Sequence, residues 1–179
     1  MNIVFSSDKK EYNTIKKGTE ILLAENDGFN QNIELSVEFQ DRPEILINKR
    51  NNQIHIICRE ISHYYRALNY AIHHMEEDEF QYREHVCFER NGLMLDCSRN
   101  AVFTVEKVKF LIKTLAKLGM NVLMLYTEDT YEVEGQPYFG AYRGKYTKDE
   151  IKELDAYASM FGVELVPCIQ TLAHLHNVL

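Results

Sequence analysis

No run of apolar residues in this 179-residue chain approaches the roughly 18 that a membrane span needs, and the N-terminus, MNIVFSSDKKEY, lacks a charged leader followed by an apolar segment. The chain is therefore expected to be neither membrane-embedded nor exported. It also lacks any block of basic residues interleaved with aromatics. Twenty Lys plus Arg stand against 27 Asp plus Glu, a formal charge of -7, so nucleic acid is not an expected partner. Cysteine is sparse. Cys58, Cys87, Cys97 and Cys168 lie far apart, three of them in apolar strand-like runs. That favours buried free thiols over a disulfide framework or a zinc cluster, and it suits a cytoplasmic compartment. Glycine is missing where a dinucleotide fold would need it, because the turn after Leu93 to Asp96 reads Cys97-Ser98-Arg99-Asn100 and offers no phosphate cradle. No cofactor is expected.

What is present is enough apolar residue, 45% with 26% charged, to bury a core in one large or two small domains. The first part reads as a small α+β unit. Ile33 to Phe39 alternates with period two, placing Ile33, Leu35, Val37 and Phe39 on one face. Glu44 to Asn48 and Gln53 to Cys58 flank Asn51-Asn52, a pair that tolerates the positive φ of a tight hairpin. Glu20 to Ala24 is a candidate fourth strand. From Glu60 to Met75 the period becomes helical, with Ile61, Tyr64, Tyr65, Leu68, Ile72 and Met75 in one stripe. His55, His63, His73 and His74 share no carboxylate pairing pattern and read as solvated positions, not metal ligands. The acidic, then mixed stretch from Glu76 to Arg90 is the expected domain boundary.

The second part repeats one pattern. Leu93 to Asp96, Asn121 to Tyr126 and Val163 to Ile169 are near-continuous apolar runs, which predicts a parallel sheet covered on both faces. Thr104 is a candidate N-cap for a helix stopped at Gly119, and Thr147-x-x-Glu150 is a capping-box pattern for one stopped at Gly162. Polar residues bunch where strands end: Asp96, Ser98, Arg99 and Asn100 after the first, Thr127, Glu128, Asp129 and Thr130 after the second. Ligands of parallel α/β sheets sit at those ends, so both clusters should face one site. The loop from Thr127 to Tyr146 is ~20 residues, far longer than usual for such a connection. An open doubly wound sheet and the opening of a (β/α)8 barrel both fit this order.

The run RNGLMLDCSRNAVFTVEKVKFLIKTLAKLGMNVLMLYTEDTYEVEGQPYFGAYRGKYTKDE, continued by ELVPCIQTLAHLHN, resembles the opening of the catalytic barrel of family 20 glycoside hydrolases, the β-N-acetylhexosaminidases. The preceding unit is similar to the non-catalytic domain found before that barrel. The resemblance implies an α/β fold: an N-terminal α+β domain (antiparallel sheet plus helix) over 1–85, then the first three strands and two helices of a (β/α)8 barrel over 86–179. It implies removal of a terminal N-acetylhexosamine from a glycan partner by a retaining, substrate-assisted reaction. Arg99, in a motif like L-D-x-S-R, then holds sugar hydroxyls with its fixed fork of donors, and Asp96 orients it. Glu128, Asp129 and His174 match the family's supporting acids and histidine. Two departures touch that network: the acidic pair is Glu-Asp instead of Asp-Asp, and Gln170 stands where the family has Asp, four residues before His174.

The catalytic Asp-Glu pair of the family follows a fourth strand, and the third expected strand ends ten residues before Leu179. The 179 residues alone are thus expected to be inactive and, with strand edges unpaired, to self-associate. Two other readings stay open. His174-x-His176 has the spacing of a metal-dependent hydrolase, and Arg99 with Tyr126, Tyr131 and Tyr138 would serve a non-catalytic sugar-binding module.

Overall fold

A computed structural model describes residues 10–25, 33–99 and 101–171. In chain order the elements are α1 (Lys10–Ala24), β1 (Glu34–Phe39), β2 (Glu44–Arg50), β3 (Gln53–Cys58), α2 (Ile61–His73), β4 (Glu79–His85), β5 (Gly92–Asp96), α3 (Val105–Lys117), β6 (Val122–Thr127), α4 (Lys148–Met160) and β7 (Glu164–Ile169). The fold is mixed α/β, with two sheets and no helix among the described residues long and apolar enough to cross a membrane.

The first sheet has the order β1-β3-β2-β4. Its apolar positions fall on one face as the alternation predicts, and Leu35, Val37, Ile45, Ile47, Ile54 and Ile56 are all buried. The hairpin turn is at Asn51, whose φ is 50°. Two expectations need correction. The sheet is mixed instead of antiparallel, because the β2–β3 hairpin inserts β3 beside β1 and those two run parallel, Val37 opposite Ile56. Alternation reports which face is buried but not which strand lies next door. Glu20 to Ala24 is not a strand but the last turns of α1. Within the stretch from Glu76 to Arg90, Glu79–His85 forms β4, a charged edge strand paired antiparallel to β2.

Helix α2 packs on β2 and β3 with one side and on α3 with another, and its Tyr65 ring lies 5.0 Å from Phe161 at the end of α4. Tyr64 and Tyr65 are fully buried, and the Tyr65 hydroxyl donates to Met160 O at 3.2 Å. One continuous apolar cluster therefore runs through both sheets' cores. A helix walled on two sides has little solvent face, which overturns the reading of His63 as solvated: it is buried, and desolvation lowers its pKa.

The second sheet is parallel, β5-β6-β7, with Leu95, Leu125 and Pro167 in register. Both crossover helices lie on one side, where they touch each other and bury Leu123 and Leu125. Thr104 accepts from Lys107 N, and Thr147 with Glu150 forms a complete capping box. Gly119 and Gly162 follow the helices at φ 76° and 67°. The expected cover on both faces is absent among the described residues. The strand positions of Met94, Met124 and Val166 alternate with the helix-covered ones, and Met94 is 54% exposed. The strands run in sequence order without a reversal, so the sheet is singly wound.

Candidate functional site

The site is built where β5 and β6 end side by side, Asp96 opposite Tyr126. Asp96 terminates its own strand. Its Oδ1 accepts from Ser98 N (2.9 Å), Ser98 Oγ (3.0 Å) and Arg99 N (3.2 Å), the Asx-type turn that a short carboxylate makes with the next backbone amides. The other oxygen, Oδ2, accepts from Arg99 Nη1 at 3.1 Å. The Ser98 amide, then the Arg99 amide, the Ser98 hydroxyl and the Arg99 charge outweigh desolvation and hold the Asp96 carboxyl below its ordinary pKa. Arg99 is thereby fixed along one edge. Its guanidinium lies 5.4 Å from the centroid of the Tyr126 ring, while its side chain stays 64% exposed.

The end of β6 is closed. Glu128 and Asp129 have side chains only 14% and 12% exposed, so the acidic pair is not a solvated loop. Arg143, from the long β6–α4 loop, reaches both acids, its Nη1 3.5 Å from Asp129 Oδ1 and 4.0 Å from Glu128 Oε2. The same nitrogen donates to the carbonyl of Ser98 on the β5 side. Asp129 Oδ1 has no aligned hydrogen bond among the described residues, so its link to Arg143 is charge attraction without hydrogen-bond geometry.

The loop is folded back onto this end. Tyr146 N donates to Thr130 O at 3.0 Å and Glu132 N to Tyr146 O at 2.8 Å. Gly140 is required at its place: its φ is 65°, and a Cβ there would lie 2.0 Å from the carbonyl oxygen of Asp129. The buried Tyr146 hydroxyl donates to Phe103 O at 2.7 Å, tying the loop to the entry of α3, and burial raises its pKa. After β7, Gln170 N donates to Thr127 O at 3.0 Å.

Of the residues singled out from sequence, Asp96 and Arg99 form one cluster and Glu128 and Asp129 a second, joined through Arg143. His174, His176 and Asn100 lie outside the described residues. Arg143 and Tyr146 were not assigned roles from sequence, and the signal for both was their place in an overlong βα loop. A cavity of about 530 Å³ lies on the helix side of the sheet, between Ile151 of α4 and Leu165, Pro167 and Ile169 of β7, and reaches Thr127 and Tyr146 at the end of β6.

The family model for the catalytic domain of glycosyl hydrolase family 20 matches residues 88–179, the stretch that carries both strand ends. The chain belongs to glycosyl hydrolase family 20. It is 28% identical over 102 residues to the probable beta-hexosaminidase fdl of Drosophila melanogaster, covering 50% of this chain and 15% of that protein. It is 30% identical over 112 residues to a beta-hexosaminidase of Vibrio furnissii, covering 49% and 18%. The fold is shared with a GH20 exo beta-N-acetylglucosaminidase from Vibrio harveyi solved with N-acetylglucosamine, with a TM-score of 0.71 at 19% identity over 93% of this chain and 32% of that one. It is shared equally with the Streptomyces plicatus N-acetyl-beta-hexosaminidase solved with Thio-NAglucal, at TM-score 0.71, 20% identity, 97% and 42% coverage. The chain thus spans under a fifth of these two sequence relatives and about a third to two-fifths of the solved chains.

Proposed function

We propose that this chain is the N-terminal portion of a β-N-acetylhexosaminidase that removes terminal N-acetylhexosamine from glycans with retention of configuration. Residues 1–85 are read as a non-catalytic α+β domain and 86–179 as the first three strands and two helices of a (β/α)8 barrel. The observation that carries the proposal is the coincidence of the family match with an open, half-fixed guanidinium at a parallel strand end. Singly wound crossovers suit a barrel, and the groove beside β7 suits a further barrel helix. Four free thiols suit a cytoplasmic compartment.

In this reading the outer edge of Arg99 holds adjacent sugar hydroxyls, with Asp96 orienting it and Tyr126 beneath it. Glu128, Asp129 and His174 support the acid. The substrate's own acetamido oxygen attacks the anomeric carbon, as in the substrate-assisted exceptions among retaining glycosidases. The Asp-Glu pair that orients the acetamide and protonates the leaving oxygen is placed beyond residue 179.

The test is hydrolysis of an aryl N-acetyl-β-glucosaminide, by the 179-residue chain and by the product of its full-length reading frame. Activity is expected from the longer protein alone. Turnover by the 179-residue chain would overturn the placement of the catalytic pair, and an inactive full-length product would overturn the hexosaminidase reading. The open Met94, Met124 and Val166 face also supports self-association of the short chain, to be checked by light scattering.

A further inference from the structure

Three carboxylates and two guanidiniums meet at the strand ends, and they are divided unevenly. Asp96 takes Arg99, while Glu128 and Asp129 share Arg143. Ser98, the residue just before Arg99, is buried and gripped from both sides: Asp96 holds its amide and hydroxyl, and Arg143 holds its carbonyl. Arg99 itself is anchored only through one edge of its fork, and among the described residues Asp96 is its side chain's one hydrogen-bond partner.

We infer that Arg143 is a positioning residue for sugar binding. By bridging Ser98 O to Asp129 and Glu128, it fixes the turn that presents Arg99. The inference rests on the reading of Arg99 as the sugar-binding residue. All three contacts are made by the one nitrogen Nη1, so an ammonium brought to that place keeps the charge and part of the bridge. Nothing in this role requires Arg143 to touch substrate. Its effect should therefore fall on binding, before any on the chemical step.

The test compares Arg143→Met, Arg143→Lys and, as a control, the fully exposed Tyr142→Ala. In the full-length product, Arg143→Met should raise KM for the aryl N-acetyl-β-glucosaminide by roughly tenfold or more, a larger factor than any fall in kcat passed on through Glu128 and Asp129. Arg143→Lys should recover part of the loss, and Tyr142→Ala should match the parent. An unchanged KM, or a loss confined to kcat, overturns the inference. A second measurement needs no turnover: in the 179-residue chain, the NMR signal of Arg99 Nε should move toward that of a free arginine in Arg143→Met and less in Arg143→Lys. An unmoved Arg99 signal overturns the inference even where the wild type proves inactive, whereas inactivity with a moved signal overturns only the hexosaminidase reading.

Discussion

The ends of β5 and β6 carry the same chemistry, acid beside arginine, in opposite settings. At β5 the pair is local, Asp96 with Arg99 three residues on, and the guanidinium is mostly in water. At β6 the pair is assembled across a loop, Asp129 with Arg143, and the carboxylates are nearly enclosed. A pair made within one turn can leave its arginine free to meet a ligand. A pair made across a folded loop commits its arginine to holding that loop, so one guanidinium is open and the other is structural.

Substitutions that break the contrast should hurt most at the closed end. Gly140→Ala puts a Cβ against Asp129 O at 2.0 Å and forces an L residue to positive φ. It should cost about 3 kcal/mol in urea unfolding, or prevent soluble expression. Asp129→Ala strips Arg143 of its nearer acid. The usual penalty for breaking a buried pair is reduced here because Arg143 is 43% exposed, so about 1–2 kcal/mol is expected.

At the open end the effects on stability shrink and the functional one appears. Because folding lowers the Asp96 pKa, its stabilising contribution is present above the unfolded value near 3.9 and is lost as pH falls through the folded pKa. A carboxyl 13C titration of Asp96 should give a midpoint under about 3.9, and a midpoint at or above it would contradict the turn. Arg99→Ala should change unfolding free energy by under ~0.5 kcal/mol, yet lower kcat/KM of the full-length product by about 10- to 100-fold, as for loss of charge-assisted hydrogen bonds. Equal damage to stability and activity would erase the distinction between the two arginines.

Much of this arrangement was legible in the sequence wherever local chemistry decides it. The T-x-x-E box before α4, the glycines after α3 and α4 and the polar clusters after β5 and β6 act within a few residues of themselves. What stayed hidden depends on distant partners. α1 contains Gly18, a poor helix residue, because its backbone runs against Tyr65: a Cβ there would lie 2.0 Å from the Tyr65 hydroxyl oxygen. The end of that helix, Glu20 to Ala24, therefore read as a strand. β4 was missed since an edge strand is laced with charge, Glu79, Arg83 and Glu84 among them. Arg143 lies 44 residues from Arg99, too far for spacing to join them.

Helix α2 is a common wall for both cores, with Tyr64 and Tyr65 buried between α1, the first sheet and the end of α4. Melting either half would leave those rings facing water, so neither half gains by letting go first. Heat should therefore take the chain apart in one cooperative transition, with no half-folded species carrying an intact parallel sheet.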